Sequence, residues 1–268
     1  MVETITSTKN PKIKHLLELQ QKSSVRRKEG LFVVEGRREL EHCIEAGYEV
    51  ESIFVSEQFT VNSKESWLPT LAPSNQNYSL FTVNSSLYEK MAYRGSTEGM
   101  IAIVKAKRHR LEDLHLRENP LIVVLESVEK PGNLGAVLRS ADAAQADAVI
   151  VCDPLTDLYN PNLIRSSIGA IFTVPTVACS SEEAIAFFQK HGIQVLTAQL
   201  QDSRLYYDTP MTQGTAIVMG TESTGLTDQW RKAATAHIRI PMLGRLDSLN
   251  VSVSAAILLF EAVRQRQG

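Results

Sequence analysis

The second half of the chain alternates short apolar runs with helical segments, and this alternation constrains the fold more than any other feature of the sequence. Six runs rich in Val, Ile and Leu are predicted as strands, at residues 121–125, 148–151, 172–177, 193–198, 215–219 and 237–240. Helices are predicted between or after them, at residues 134–144, 161–170, 181–190, 226–234 and 251–265. Uninterrupted apolar runs are typical of strands buried on both faces of a parallel sheet. The pattern therefore predicts an open, mostly parallel α/β sheet, in which ligands bind at the carboxyl ends of the strands.

The first hundred residues predict a smaller α/β domain, because strands and helices alternate there as well. Strands are expected at residues 31–34, 50–55, 80–83 and 100–104. Helices are expected to begin near Pro11, Arg37 and Ser85, and residues 57–79 are expected to be irregular. The charged segment that follows is typical of a linker. The predicted division is a domain at residues 1–104, a linker at residues 105–118 and a second domain at residues 119–268.

Basic residues are concentrated near the amino terminus, although the whole chain carries a net charge of −2. Residues 1–40 contain nine Lys and Arg against five Glu, and residues 22–30 are predicted as an exposed basic loop. Such a local patch fits contact with the phosphates of a nucleic acid. A solvated helix face and loop is the alternative reading of the same charges. The candidate RNA contacts in this region are Lys12, Lys14, Arg26, Arg27, Lys28 and Arg37.

Composition argues against several classes of protein. No apolar run approaches the roughly 20 residues needed to span a bilayer. The amino-terminal segment has no apolar signal core, so a cytoplasmic protein is expected. The three cysteines are odd in number and widely spaced, which predicts free thiols rather than a disulfide framework or a zinc site. No metal site is predicted.

Polar, glycine-bearing loops follow three of the predicted strands. The loop after the first strand contains Asn133 and leads into a helix that carries Arg139. The loop after the fifth strand contains Glu222 between two glycines, and the loop after the sixth contains Ser248 and Asn250. Ordinary turn chemistry is the alternative for each loop taken alone. Because the carboxyl ends of parallel strands meet at one edge of a sheet, the three loops together predict a binding site.

Several familiar signatures are absent, and a different family resemblance takes their place. The sequence contains no dinucleotide-binding glycine fingerprint, no phosphate-binding P-loop and no nucleophile elbow. The three loops instead resemble the three motifs of the SpoU (TrmH) family, RNA ribose 2′-O-methyltransferases of the knotted SPOUT class. The matching segments are Pro131-Gly132-Asn133-Leu134-Gly135 followed by Arg139, Gly220-x-Glu222-x-x-Gly225-Leu226, and Ile240-Pro241-Met242 followed by Ser248-Leu249-Asn250-Val251-Ser252. Residues 165–170 resemble the family's helix between the first two motifs, and residues 1–104 resemble its ribosomal-protein-like substrate-binding extension.

The resemblance implies S-adenosylmethionine as the methyl donor, a homodimer formed through the C-terminal domain, and a C-terminal trefoil knot. It implies a catalytic set at Arg139, Asn133, Glu222, Ser248 and Asn250. It implies cofactor binding by Gly220, Ile240, Leu249, Met242 and Ala198. It also makes Arg165 a candidate RNA contact.

The roles of the implied catalytic residues follow from their chemistry. Arg139 is interpreted as a phosphate-binding group that lowers the pKa of the ribose hydroxyl, because a guanidinium stays protonated in proteins and is a poor base. Asn133 and Asn250 are expected to orient the hydroxyl, and Glu222 to hold Arg139 or its own loop. Asp247 is interpreted as a loop or capping residue.

Three functions remain open at this point. The leading hypothesis is a 2′-O-methyltransferase for structured RNA, with ribosomal RNA favoured over transfer RNA because of the additional amino-terminal domain. The second is a non-catalytic RNA-binding protein that keeps the fold. The third is a methyltransferase for another acceptor.

Overall fold

The computed structural model describes residues 3–58, 78–93, 99–221 and 224–267. Most of the segment predicted to be irregular at residues 57–79 lies outside the described residues, and so does Glu222.

The chain folds into two compact units. Unit 1 consists of residues 1–107 together with residues 157–173, and unit 2 of residues 108–156 together with residues 174–268. The segment 157–173 therefore packs in unit 1, although the predicted division places it in the second domain.

The strands are β1 (Glu3–Ile5), β2 (Leu31–Glu35), β3 (Val50–Ser56), β4 (Ser79–Val83), β5 (Met100–Lys105), β6 (Leu121–Glu126), β7 (Ala148–Cys152), β8 (Thr176–Cys179), β9 (Gln194–Ala198), β10 (Arg204–Leu205), β11 (Thr215–Met219) and β12 (Ala236–Arg239). The α-helices are α1 (Pro11–Gln21), α2 (Ser23–Glu29), α3 (Arg37–Glu45), α4 (Ser85–Met91), α5 (Pro131–Ala143), α6 (Pro161–Ser166), α7 (Ala170–Thr173), α8 (Ser181–His191), α9 (Asp228–Ala233) and α10 (Val251–Gln267).

Unit 1 contains a mixed sheet with the strand order β1-β4-β3-β5-β2. Strand β4 runs parallel to β1 and β3, whereas β5 runs antiparallel to β2 and β3. Helix α1 begins as the sequence predicts: Pro11 is its first residue, and the side chain of Asn10 accepts a hydrogen bond from the Lys12 backbone N at 2.9 Å. Its fully buried Leu16 and Leu19 belong to the core of this unit.

The prediction of an exposed basic loop at residues 22–30 was wrong. Most of this segment forms helix α2, which ends at Gly30 with a φ of 66°. The Arg26 side chain is only 4% exposed; its Nε donates to Asp157 Oδ2 at 2.6 Å, and its Nη1 donates to the Leu19 carbonyl. A guanidinium that is buried and paired in this way supports the fold, so Arg26 is corrected from an exposed RNA contact to a structural residue.

Replacing Arg26 with alanine is expected to lower the free energy of unfolding by roughly 3–5 kcal/mol, because Asp157 would keep a buried charge without its partner. Arg27→Ala is the matched control, since Arg27 is the exposed neighbour on the same helix. Its effect should stay within about 0.5 kcal/mol. Urea unfolding of both variants measures the difference, and equal stabilities would contradict the structural role of Arg26.

Unit 2 is built on a seven-stranded sheet with the order β10-β12-β9-β11-β6-β7-β8. Every pairing among these strands is parallel, which confirms the predicted α/β sheet. The edge strand β10 was not predicted, because it contains only two residues. Beside the sheet, Trp230 of α9 and Phe188 of α8 are fully buried in the same core cluster.

Two predicted boundaries in the segment 161–177 were wrong. The run 172–177 is not one strand: its start belongs to helix α7, and β8 begins only after Pro175, which has no backbone N–H for the strand ladder. The helix predicted at 161–170 ends at the close of α6, because Ile168 and Gly169 adopt φ values of 56° and 81°. A short apolar run does not by itself distinguish a helix from a strand.

Within the described part of the chain, no helix combines the length and apolar character required to cross a membrane. Among the same residues, no group of three or more His, Cys, Asp or Glu is arranged to hold a metal ion. The three cysteines are free thiols, as predicted.

Candidate active site

A cavity of about 430 Å³ lies in unit 2, where β9, β11 and β12 end. The residues that the resemblance implies for cofactor binding all line it: Ala198, Gly220, Ile240, Met242 and Leu249. Ser248, from the implied catalytic set, lines it as well. The structure thus brings together residues that follow β9, β11 and β12, so the second and third motif loops line the cavity and the first, which contains Asn133, does not.

Gly220 allows two parts of one loop to touch. Thr221 and Gly225 form an isolated antiparallel bridge, and the Gly225 backbone N donates to the Thr221 carbonyl at 3.0 Å. A Cβ at position 220 would collide with the Gly225 carbonyl group and would lie 2.7 Å from the Leu226 backbone N. Because the obstructing atoms are backbone, only glycine fits this position. The loop backbone forms one wall of the cavity.

Asn133 and Asn250 meet although they belong to the first and third loops. The Nδ2 of Asn250 donates to the Oδ1 of Asn133 at 3.2 Å. Asn133 lies in the first turn of α5 and Asn250 immediately precedes α10, and these two helices pack against each other. The Oδ1 of Asn250 also accepts from the Ser252 backbone N at 3.0 Å, as a helix-capping side chain does. Helix packing and capping together fix the pair.

Arg139 lies further along α5 and is exposed, so its guanidinium is accessible to a large ligand. The predicted contact between Arg139 and Glu222 stays a prediction, because Glu222 lies outside the described residues.

Asp247 has a position that the sequence interpretation did not give it. Asp247 lines the cavity, and its Oδ1 accepts a hydrogen bond from the Ser248 hydroxyl at 3.3 Å. The helix is capped by Asn250 instead. Asp247 therefore adds negative charge to the rim of the cavity.

Two further polar residues in the cavity wall were missed from the sequence. The Nε2 of Gln199 donates to the Gln201 carbonyl at 2.9 Å. The Oε1 of the same side chain is buried and has no hydrogen-bond partner among the described residues. Arg231 also lines the cavity, and its Nε is buried without a hydrogen-bond partner among the described residues. Because buried unsatisfied polar atoms each cost about 1–3 kcal/mol, a ligand is a natural source of the missing partners. The position of Gln199 directly after a predicted strand was the only sequence signal for either residue.

A buried carboxylate at the end of β6, just before the first motif loop, anchors the end of the second motif loop. Glu126 ends β6 and is 2% exposed. Its Oε2 accepts from the Thr227 backbone N at 2.9 Å, and its Oε1 accepts from the Thr227 hydroxyl at 2.6 Å. Ser181 extends the network, since its hydroxyl donates to Glu126 Oε1 at 3.4 Å and accepts from the Trp230 indole N–H at 2.9 Å. Thr227 follows the second loop directly, so these bonds fix the point where that loop ends.

Glu126→Gln is expected to lower the free energy of unfolding by roughly 1–3 kcal/mol, because the amide can satisfy only one of the two Thr227 donors. The exposed neighbour Glu129 supplies the control, and Glu129→Gln should change stability by less than about 0.5 kcal/mol. Hydrogen exchange at the Gly225 amide should accelerate in Glu126→Gln alone. Unchanged exchange at Gly225 would show that Glu126 does not hold the second loop.

Cysteine chemistry receives no support near these loops. Cys152 and Cys179 are register partners on β7 and β8. The hydrogen bond with Cys179 and burial raise the pKa of the Cys152 thiol, which keeps it neutral.

The predicted RNA contacts other than Arg26 lie on the surface of unit 1: Lys12, Lys14, Arg27, Lys28, Arg37 and Arg165. Lys12 pairs with Glu3 at 2.5 Å, and Arg37 pairs with Glu41 at 2.7 Å. Surface ion pairs of this kind contribute only about 0–1 kcal/mol each.

A parallel sheet, a cavity at the carboxyl ends of its strands and polar side chains beside that cavity are features of a cofactor-binding α/β enzyme. The chain belongs to the SpoU rRNA methylase family, whose sequence model matches residues 120–260, more than half of the chain. The MRM3-like substrate binding domain matches residues 10–102.

Several proteins match this chain over nearly its whole length. The 23S rRNA (guanosine(2553)-2′-O)-methyltransferase RlmP of Bacillus subtilis is 26% identical over 97% of this chain and 98% of its own. A crystal structure of an RNA 2′-O ribose methyltransferase is 38% identical, covers 99% of this chain and 100% of its own, and superposes with a TM-score of 0.84. The AdoMet-bound rRNA methyltransferase of Sinorhizobium meliloti is 27% identical, covers 98% of both chains and has a TM-score of 0.89.

Proposed function

We propose that this protein transfers a methyl group from S-adenosylmethionine to a ribose 2′-hydroxyl of ribosomal RNA. The favoured substrate is 23S rRNA, the RNA that the Bacillus subtilis relative modifies. The observation that carries the proposal is a cavity lined by residues that follow β9, β11 and β12. Next to its lining residues Leu249 and Val251, Asn250 pairs with Asn133 of the loop after β6. The family relationship and the 2′-O-methyltransferase relatives support the same reaction.

The cavity fits the proposed cofactor. Its volume of about 430 Å³ falls in the range of roughly 300–1,000 Å³ that small-molecule sites occupy. Gly220, Ile240 and Leu249 line the cavity, and Gly220 has no side chain to obstruct it. As the resemblance implies, the backbone groups of these residues would hydrogen-bond the adenosine. The unpartnered atoms of Gln199 and Arg231 suit polar groups of the ligand, an amino group for the carbonyl oxygen and a carboxylate for the guanidinium.

The residues beside the cavity position the acceptor. When bound, S-adenosylmethionine supplies a sulfonium methyl that a ribose oxygen can attack in line. Asn133 and Asn250 orient that oxygen, and their mutual hydrogen bond limits their freedom. Arg139 binds the neighbouring phosphate and lowers the pKa of the 2′-hydroxyl by electrostatic attraction. Ser248 contributes a hydroxyl at the rim.

The exposed cations of unit 1 bind the RNA backbone in this proposal. Arg27 and Lys28 on α2, and Lys14 on α1, are exposed. Phosphate contacts of this kind supply affinity without sequence selectivity. Residues 1–104 would act as the RNA-binding domain, residues 105–118 as the linker and residues 119–268 as the methyltransferase domain.

The proposal includes a homodimer formed through the C-terminal domain and a C-terminal trefoil knot, both implied by the resemblance. Helix α10 supports the dimer because its Val253 and Phe260 are 46% and 48% exposed, and such apolar side chains suit a protein interface. A ribosomal RNA substrate would place the enzyme in the cytoplasm.

Transfer of a labelled methyl group into purified ribosomal RNA tests the proposal. Labelled transfer RNA would favour the alternative substrate. Tight cofactor binding without transfer to either RNA would favour a non-catalytic RNA-binding protein.

A further inference from the structure

A second cavity, of about 230 Å³, lies within unit 1 and has no part in the proposed methyl transfer. Its volume is below the roughly 300–1,000 Å³ typical of sites for whole small molecules, so it suits a single nucleobase. The residues that matter to its chemistry are Gln20, Glu35, Arg38, Glu39, Tyr93 and Arg165.

Glu35 is the chemically informative group in this cavity. It ends β2 and is partly buried, and its Oε2 accepts from the Tyr93 backbone N at 2.8 Å. Burial raises the pKa of the Glu35 carboxyl, against the lowering effects of the Tyr93 N–H and the Arg165 charge. No Lys or Arg of the described residues lies within ion-pair distance of it. A carboxylate can accept about four hydrogen bonds, so most of the capacity of Glu35 is open to a ligand.

The other polar side chains of the cavity differ in whether a hydrogen bond or an ion pair within the protein already occupies them. The Nε2 of Gln20 donates to the Met91 carbonyl at 2.9 Å. Glu39 is paired with Arg38 at 3.3 Å. Arg165 is exposed, and no ion pair joins it to a carboxylate of the described residues. The cavity therefore presents one available carboxylate and one available guanidinium.

Tyr93 adds a surface for stacking. It is 42% exposed, although large apolar rings are usually buried, and it lines the cavity together with Glu35. Unpaired RNA bases are commonly recognised by an aromatic ring that stacks on the base and by polar groups that bind its Watson–Crick edge.

We propose that this cavity binds an unpaired guanine of the RNA substrate. The guanine Watson–Crick edge has two adjacent donors, N1–H and the N2 amino group, which match the two oxygens of Glu35. Adenine, cytosine and uracil each place an acceptor beside their donor on that edge, and the acceptor would face the carboxylate. Tyr93 stacks on the base, and Arg165 binds a phosphate. The inference rests on the proposed function in one respect, that the substrate is RNA.

The test is titration of the full-length protein, saturated with S-adenosylhomocysteine, with the 5′-monophosphates of guanosine, adenosine and uridine. Binding is followed by the NMR signals of two backbone amides. Gly36 follows Glu35 in the sequence, and the Tyr93 amide donates to the Glu35 carboxylate. Guanosine monophosphate should bind at least tenfold more tightly than the other two. Glu35→Gln should weaken its binding at least tenfold, because the amide replaces one acceptor with a donor.

Glu45→Gln is the matched control, since Glu45 is exposed at the end of α3 and does not line the cavity. It should bind guanosine monophosphate like the unmodified protein. Tyr93→Phe should retain binding and Tyr93→Leu should lose it, which separates stacking from folding. Equal binding by Glu35→Gln and the unmodified protein, or equal affinity for uridine monophosphate, would overturn the guanine site.

Methyl transfer to ribosomal RNA, measured on the same preparations, separates the two proposals. Guanosine monophosphate binding without methyl transfer would refute the proposed function and leave the guanine site standing. Methyl transfer without guanosine monophosphate binding would refute the guanine site alone.

Discussion

Gly220→Ala is expected to raise the Kd for S-adenosylmethionine at least 100-fold and to reduce methyl transfer accordingly. The added Cβ would collide with the Gly225 carbonyl group, and the Leu226 backbone N would lie at 2.7 Å. Backbone cannot rotate away as a flexible side chain can, so the second loop must move out of its place in the cavity wall. Overpacking of this kind also costs about 1–3 kcal/mol of stability. Isothermal titration calorimetry and urea unfolding measure the two effects.

Gly244→Ala is the control for this experiment. A Cβ on Gly244 would meet no atom within 4 Å, and this glycine is not among the residues that line the cavity. Its cofactor affinity should equal that of the unmodified protein. If Gly220→Ala bound the cofactor normally, the second loop would not form the binding wall.

Arg139→Ala is expected to reduce methyl transfer by at least 100-fold while the Kd for S-adenosylmethionine changes less than twofold. Arg139 is exposed on α5 and is not among the residues that line the cofactor cavity, so its proposed partner is the RNA phosphate. Loss of a group that stabilises developing negative charge costs roughly 10²–10³ in kcat. Arg139→Lys should recover only part of the rate, because an ammonium cannot bind phosphate in the two-pronged geometry of a guanidinium.

Single-turnover kinetics with saturating RNA and calorimetry with the cofactor separate the two parts of this prediction. Lys232→Ala serves as the control, since Lys232 is an exposed cation of the same unit. It should retain full activity. Normal turnover in Arg139→Ala would remove Arg139 from the catalytic set.

The parallel sheet of unit 2 could be predicted because its strands are buried on both faces and read as uninterrupted apolar runs. The run at residues 172–177 misled for the same reason, since burial alone does not separate helix α7 from strand β8. The error at α2 has a different origin. The sequence shows that Arg26 is basic but not that Asp157, 131 residues away, supplies its partner.

The motif loops were predictable because their residues and spacing resemble the motifs of the SpoU family, and the structure places Gly220, Ile240 and Leu249 around one cavity. Gln199 and Arg231 were not predictable, because their significance lies in unpartnered atoms that exist only after folding. The pairing of Asn133 with Asn250 likewise depends on the packing of α5 against α10.

The most direct test of the proposed reaction is to incubate the protein with labelled S-adenosylmethionine and unmodified ribosomal RNA, and then to map the modified nucleotide. The expected result is one labelled ribose 2′-O-methyl group in the large ribosomal RNA, formed at least 100-fold more slowly when Arg139→Ala is used. Label on a base or on protein, or no label from a preparation that binds the cofactor, would contradict the proposed reaction.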